Sequence, residues 1–375
     1  MKDIVVKALL HKVISDIAID DDETQDYIKY FQAMARYKYD NYQQYSTGLR
    51  FIETLAIWLQ QFDPDDKKVA LDFVMNRLIY ISSSEINLIV ESCFPDKLRF
   101  ILMNLTAKKL NVPPYKLNFI ENSEEYRVLL RQSLFCGLSD GARLDIFRRA
   151  NTGVLTHEQI YLTYELSDQR VVKMKSELIE DLTNMGVTIK QDSNEDKFKT
   201  LFLMDDFSAS GTSYLKVNSK DELKGKIAGL YENLFGPNAA SEIGSTFDLP
   251  NLKIFIILYL CSKQAKESIE SNFDKLSEKY GNRPELVIMY ELDEQYTIKQ
   301  TEEIYAICSK DDYYDKDLIE DKHTKKDIKF GFSQCSLPLI LEHNTPNNTI
   351  PLLWTYDYSE KFRGLFPRIP RHRVL

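Results

Sequence analysis

The sequence has little of what builds covalently stapled or metal-centred folds. Its five cysteines, Cys93, Cys136, Cys261, Cys308 and Cys335, are odd in number, far apart and without a C-x-x-C pair. That argues against a disulfide framework or a zinc knuckle and fits a reducing cytoplasm. Histidines number five and are scattered, and His157-Glu158 lacks the second histidine of H-E-x-x-H, so a transition-metal centre is not expected. Only 13 glycines and 12 prolines occur in 375 residues, against 43% hydrophobic residues, which excludes a collagenous or mainly disordered chain. Apolar runs such as Ile254 to Cys261 fall far short of the roughly 18 residues a membrane span needs, so no membrane association is expected. There is no G-x-x-x-x-G-K-[ST], so no P-loop. A formal net charge of −9 argues against nucleic-acid binding by the whole surface.

What is present divides in two. Met1 to Ile19 mixes Asp3, Lys7, Lys12 and Asp16 with apolar residues and has no small-residue cleavage site; it reads as an amphipathic helix, not a signal peptide. Tyr27 to Tyr45 and Leu49 to Phe62 read as helical. Ala70, Val74 and Leu78, interleaved with Leu71, Met75 and Ile79, form one broad apolar stripe, on a helix started by Asp63-Pro64-Asp65. Ser82 to Ser84 break it and cap the next helix. Residues 1–110 are therefore expected to form an all-helical N-terminal domain. Its aromatics read as packing.

From Pro113-Pro114 the pattern changes. Short β-rich runs, Ser133 to Cys136, Thr200 to Met204, Ile254 to Leu260 and Leu286 to Tyr290, alternate with helices. One helix is expected from Thr156, with Gln159 completing a capping box, through Leu178 and Leu182 to Gly186; others from about Lys220 to Phe235 and Lys263 to Tyr280. The fold class for residues 111–375 is α/β, with a parallel sheet covered on both faces. Ligands of such sheets bind at the carboxyl ends of the strands. After Glu360 the tail holds five cations, Lys361, Arg363, Arg368, Arg371 and Arg373, and no acid; it is either a solvated basic tail or a phosphate contact.

The strongest constellation is Leu201-Phe-Leu-Met-Asp205-Asp206-Phe-Ser208-Ala209-Ser210-Gly211-Thr212-Ser213. An apolar strand ends in two acids and turns through small hydroxylated residues around a glycine. Gly211 permits a tight backbone that points amides at one anion, and a helix starting there would add its positive end. Two carboxylates beside such a cradle can accept sugar hydroxyls or hold a cation through water. Upstream, Cys136-Gly-Leu-Ser139-Asp140-Gly141-Ala-Arg143 is a second strand-to-turn transition, with Arg148 and Arg149 nearby. Gly137-Leu-Ser139-Asp-Gly141 also satisfies G-x-S-x-G, and Asp205 or Asp206 followed by His343 would give the order of a hydrolase triad. That elbow should follow several strands and open a helix. Here helical sequence precedes it, and Arg143-Leu-Asp-Ile-Phe147 alternates in part like a strand. A third segment, Glu342-His343-Asn344-Thr-Pro-Asn347-Asn-Thr349, is a polar turn between apolar stretches.

The Asp205-Asp206 segment resembles the phosphoribosyl-diphosphate motif of type I phosphoribosyltransferases. Together with Ser139 to Ala142, the His343 to Thr349 turn and Leu365-Phe-Pro-Arg368, the chain resembles the phosphoribosyltransferase-like family of prokaryotic conflict systems, including some retron operons. The resemblance covers roughly Asn111 to the C-terminus. It implies that Asp205 and Asp206 bind the ribose hydroxyls and hold Mg²⁺, indirectly. Ala209, Ser210, Gly211, Thr212 and Ser213 would wrap the 5′-phosphate. Ser139, Asp140 and Gly141 would form the diphosphate loop, with Arg143 neutralising the leaving group. His343, Asn344 and Asn347 would be acceptor-side or leaving-group contacts. Two positions depart from the pattern: Ser208 stands where an aliphatic residue is usual, and Ala209 where purine enzymes carry a catalytic Asp, so no general base carries over.

The implied activity is Mg²⁺-dependent transfer, or hydrolytic release, of a phosphoribosyl group from phosphoribosyl diphosphate or a related ribose 5-phosphate donor, by a cytoplasmic toxin effector of an anti-phage system. Protein partners from a defence operon, such as a reverse transcriptase with its non-coding RNA and DNA, would dock on the helical domain. The alternative is a regulatory module that binds a nucleotide or sugar phosphate, does no chemistry and controls a partner protein.

Overall fold

The protein is described from a computed structural model covering residues 3–15, 17, 20–163, 168–189, 194–237, 242–316 and 328–369. His323 and the tail residues Arg371, His372 and Arg373 lie outside these. The main elements, in chain order, are α1 (Asp3–Ser15), α2 (Asp21–Tyr37), α3 (Phe51–Gln60), α4 (Pro64–Asn76), β1 (Ile79–Ile81), α5 (Ser83–Cys93), α6 (Arg99–Leu110), α7 (Leu117–Glu121), α8 (Glu124–Arg131), β2 (Ser133–Gly137), α9 (Leu144–Ala150), β3 (Ile160–Leu162), α10 (Asp168–Asn184), β4 (Thr200–Ser208), β5 (Lys216–Val217), β6 (Leu223–Lys224), α11 (Lys226–Phe235), α12 (Glu242–Ser245), β7 (Lys253–Ser262), α13 (Lys263–Glu270), α14 (Phe273–Tyr280), β8 (Glu285–Leu292), α15 (Glu303–Ser309), β9 (Leu339–Leu341) and α16 (Pro351–Trp354). No helix among the described residues is long and apolar enough to cross a membrane.

Contacts divide the chain into two compact units, Met1–Glu85 with Asp293–Leu375, and Ile86–Leu292. They differ from a single cut at residue 110, because the N-terminal helices share a core with the C-terminal segment. In the first unit Phe31, Phe51, Trp58, Leu71 and Val74 pack with Ile340, Leu353, Leu365 and Phe366. α2 starts at Asp20, whose carboxylate accepts from the Glu23 N–H at 2.8 Å. α4 starts at Pro64, with Asp65 and Asp66 in its first turn, as the sequence implies. It ends at Asn76, so Leu78 leaves the helical stripe. The next three residues form β1, parallel to β9 in the register Ile79↔Leu339, Tyr80↔Ile340 and Ile81↔Leu341. Ser82 then caps α5 reciprocally with Glu85: the Ser82 N–H reaches the Glu85 carboxylate at 2.8 Å, and the Glu85 N–H reaches Ser82 Oγ at 3.3 Å.

The polar turn after β9 is largely a structural tie. Thr349 donates to the Leu339 carbonyl, Trp354 Nε1 donates to the Thr349 carbonyl at 2.6 Å, and Asn348 Nδ2 donates to the Phe332 carbonyl at 3.1 Å. Tyr42 is buried where its hydroxyl meets Thr345 Oγ1 at 2.8 Å and the Phe366 and Pro367 carbonyls at 3.2 and 3.0 Å. Burial pushes this phenol up to about 12, so it stays a neutral donor.

In the second unit a five-stranded parallel sheet runs β3-β2-β4-β7-β8. One face packs Leu201, Leu203, Ile254 and Ile256 against Leu178 and Leu182 of α10, Ile227 and Tyr231 of α11, and Ile269 and Leu276 of α13 and α14. On the sheet Phe135, Phe202 and Phe255 stack in a row, with centroids 4.9 and 5.2 Å apart, and Phe94 and Phe147 pack on Phe135. The α/β parallel sheet is as the sequence implies, but four local expectations change. The capping box at Thr156 and Gln159 starts only one 3₁₀ turn before β3 intervenes. Arg143 precedes α9 in a left-handed conformation, and Leu144 to Phe147 are helical within it, not strand-like. The expected helix from Lys220 begins at Lys226, behind a β5–β6 hairpin and Gly225 at φ +110°. Lys263 to Tyr280 is two helices, broken at Ser271-Asn272.

Replacing Tyr42 with Phe leaves buried acceptors without their donor. It should lower the unfolding free energy by about 1–3 kcal/mol, measured by urea denaturation; an unchanged midpoint would show that the tie contributes nothing.

Candidate functional site

The strand order places a crevice by itself. From β2 the chain moves to β3 on one side of the sheet; from β4 it moves to β7 on the other. Adjacent parallel strands whose connections part in this way leave a crevice at their carboxyl ends. The β2–β4 ladder ends at Gly137↔Met204, whereas β4 continues beside β7 to Ser208↔Cys261. Asp205 and Asp206 are therefore the first residues of β4 past the end of its pairing with β2.

Side chains alternate along a strand, so the two acids point to opposite faces. Asp205 has no exposed surface. Its Oδ1 accepts from the Ser139 hydroxyl and, at 3.2 Å, from the Asp206 N–H. Its Oδ2 accepts from the Tyr214 hydroxyl at 2.8 Å and from Lys226 Nζ at 2.6 Å. Burial, reinforced by the charges of Asp205 and Asp206, raises the Tyr214 pKa well above its ordinary value, keeping the hydroxyl a donor. Asp206 is half-buried, and its Oδ1 accepts from the Phe207 N–H at 2.8 Å. A Cβ at Gly141 would lie 2.6 Å from the Asp206 carboxyl group, so a larger residue in the Ser139–Gly141 turn would have to push that carboxylate aside.

Beyond Ser208 the chain makes a tight loop. Gly211 sits at φ +74° against α13, where a Cβ would meet the Ala265 carbonyl at 3.0 Å. Ser262, at the end of β7, donates its hydroxyl to the Ala209 carbonyl while accepting from the Ala265 N–H at 3.0 Å, so one side chain fixes the loop and caps α13. Ser210 Oγ and Thr212 Oγ1 are 3.0 Å apart. The Gly211 carbonyl accepts from Tyr214 and Leu215. Among the described residues nothing accepts from the N–H groups of Ser210, Gly211, Thr212 or Ser213. No helix starts within the loop, contrary to the sequence expectation: α11 begins at Lys226, whose N–H and that of Ile227 bond the Ser213 and Tyr214 carbonyls. The loop thus leaves four successive backbone N–H groups without a protein acceptor, which is the inventory an anion-binding nest draws on.

Across the crevice, Asp140 is exposed and Arg143 is half-buried at φ +49°, its Nη1 donating to Asn87 Oδ1 at 3.1 Å. The Ala142 carbonyl is held by the buried Tyr259 hydroxyl at 2.7 Å. Arg148 turns to the Ile160 carbonyl at 3.2 Å, and Arg149 is exposed. A cavity of about 320 Å³ beside this turn is lined by Asp140, Leu144, Asp145, Arg148 and Leu162. Ser139 donates to Asp205, and among the described residues no histidine is hydrogen-bonded to it, so the constellation of a serine hydrolase is not seen there. The donor set does not fit a Mg²⁺ ion held by the protein. Asp205 already accepts four donors and faces an ammonium, and no group of three or more potential ligands occurs among the described residues.

The structure thus brings Ser139, Asp140, Gly141, Arg143, Asp205, Asp206 and Ala209 to Ser213 into one unit. His343, Asn344 and Asn347 belong to the other, in the turn after β9, with half-buried side chains. Sequence reasoning did not find Tyr214, Lys226 or Ser262. Lys226 follows Gly225 at a helix start and carries no motif; only the fold returns it to the acid pair.

A parallel sheet with an acid pair and a short loop of unpartnered amides at the carboxyl end of its central strand is the layout of a phosphoribosyltransferase-like α/β protein. The chain belongs to the phosphoribosyltransferase-like family PRTase-CE, whose model matches residues 55–368. No curated protein and no solved structure matches it.

Gly211→Ala forces a left-handed backbone on a residue with a Cβ. It should cost roughly 1–2 kcal/mol in thermal or chemical unfolding and speed amide exchange in residues 209–213; unaltered exchange there would contradict the loop geometry.

Proposed function

We propose that this protein transfers, or releases by hydrolysis, the phosphoribosyl group of phosphoribosyl diphosphate or a related ribose 5-phosphate donor. The observation that carries this is the run of four N–H groups without a protein acceptor, Ser210 to Ser213, a few residues after two carboxylates at a topological switch point. Amides suit a phosphate and carboxylates suit ribose hydroxyls, so the two together suit a sugar phosphate. Ala209 to Ser213 hold the 5′-phosphate, and the Asp205–Asp206 segment holds the ribose. The Ser139-Asp140-Gly141 turn receives the diphosphate, with Arg143 beside it. In the reaction a nucleophile bonds to the anomeric carbon as the bond from that carbon to the diphosphate oxygen breaks, and the electron pair leaves on the diphosphate. The guanidinium of Arg143 offsets that charge. If Mg²⁺ accompanies the donor, it would offset the charge of the diphosphate and would not need to be held by these side chains. The reading includes a role as an effector in anti-phage defence, supported by the sequence resemblance, and acceptor-side roles for His343, Asn344 and Asn347.

One observation favours a second reading. Ala209 is buried and the loop carries no acid, so the loop itself supplies no base. A non-catalytic sensor of the same ligand, acting on a partner protein, uses the same geometry without chemistry.

Calorimetric titration with phosphoribosyl diphosphate, with and without Mg²⁺, combined with an assay for released diphosphate, decides among these. Binding with release is expected, and Asp206→Asn should reduce turnover at least a hundredfold, on the order of 3 kcal/mol, with the fold intact by circular dichroism. Saturable binding without release would favour the sensor. No binding by the folded protein would remove the donor assignment.

A further inference from the structure

The two acids do not share one environment. Asp205 is fully buried, with four donors on two oxygens: the Ser139 hydroxyl, the Asp206 N–H, the Tyr214 hydroxyl and the Lys226 ammonium. A carboxylate offers about four lone-pair sites, so this one has no acceptor capacity left for a sugar hydroxyl. Its donors come from separate places: Ser139 from the turn after β2, Tyr214 from the end of the phosphate loop, Lys226 from the first residue of α11. Asp206 faces the other side of the strand, reaches the surface and lies under Gly141.

We infer that the acid pair is divided in its work: Asp205 is a positioning residue that clamps the Ser139 turn to the phosphate loop and the start of α11, while Asp206 alone reads the ribose hydroxyls. This rests on the reading of the site as a sugar-phosphate site. Lys226 is part of the clamp. Its side chain is 37% exposed while its partner has no exposed surface, so the ammonium reaches inward to compensate a charge that water cannot. Without it, Asp205 would be left buried and under-compensated, and both loops would loosen together, although Lys226 touches only one of them.

Two measurements on the full-length protein test this. The first is hydrogen–deuterium exchange without ligand in Lys226→Met, Lys226→Arg, Ser139→Ala and Asp206→Asn. Lys226→Met should speed exchange at residues 139–142, and Ser139→Ala at residues 209–213, each about tenfold; Lys226→Arg should restore most of the protection, and Asp206→Asn should leave both loops as in wild type. The second is equilibrium binding of ribose 5-phosphate and 2-deoxyribose 5-phosphate. Wild type should prefer the ribose compound about tenfold. Lys226→Met should weaken both ligands and keep the ratio, whereas Asp206→Asn should bring the ratio close to one.

A ratio that collapses in Lys226→Met and survives in Asp206→Asn would overturn the division, as would wild-type exchange at residues 139–142 in a folded Lys226→Met. If wild type binds neither ligand, the sugar-phosphate reading and the role given to Asp206 both fall, while the exchange experiment still decides whether Asp205 is a clamp.

Discussion

The site depends on one buried negative charge. A carboxylate without exposed surface is tolerable only when donors replace its water, and those at Asp205 come from a strand-end turn, a loop and a helix start. None of these segments is held in place by the sheet ladder alone. Satisfying Asp205 therefore sets the shape of the crevice. The Tyr214 hydroxyl makes the point twice over: its one proton is shared between Asp205 Oδ2, at 2.8 Å, and the Phe207 carbonyl, at 2.9 Å, so the loop cannot open without disturbing both.

Around this centre the chain relies on backbone more than on side chains. The proposed anion cradle is a row of amides in a loop positioned by Gly211 against α13 and by the Ser262 hydroxyl on the Ala209 carbonyl. Such a cradle needs small residues more than particular ones, which accommodates Ser208 and Ala209 where related enzymes carry other types. It also places the weight of any catalysis on orientation and charge compensation, because the loop supplies neither a base nor a nucleophile.

The parallel sheet was legible because its strands are continuous apolar runs; Thr200 to Met204 and Ile254 to Leu260 are buried on both faces, and each extends by a few residues in the structure. The short strands were not legible. β1, β3 and β9 are three residues each, and β1 forms only because β9, far along the chain, lies beside it. The breaks at Ser271-Asn272 and before Lys226 come from tertiary packing and a left-handed glycine, against a local pattern that favours continuous helix. At the site, Asp205, Asp206 and the loop announce themselves by spacing. Tyr214, Lys226 and Ser262 do not, since their roles exist only once the chain has folded back. Within the polar turn after β9, Thr345, Asn348 and Thr349 turn out to bond neighbouring backbone and side chains, so part of what reads as a functional motif is a knot of structural hydrogen bonds.

The pairing of β1 with β9 has a temporal consequence. The unit that carries the acid pair is one continuous stretch, Ile86–Leu292, whereas the other draws its core from both sides of it. A ribosome delivers residues in order, so the continuous unit can close while its neighbour still waits for Ile340, Leu353 and Phe366 to emerge. Until then Phe31, Phe51 and Trp58 have no completed core to enter. During synthesis this is the interval in which the chain presents its greasiest surface, and a stalled or truncated product would stay there, a substrate for chaperones and proteases even with its crevice already formed.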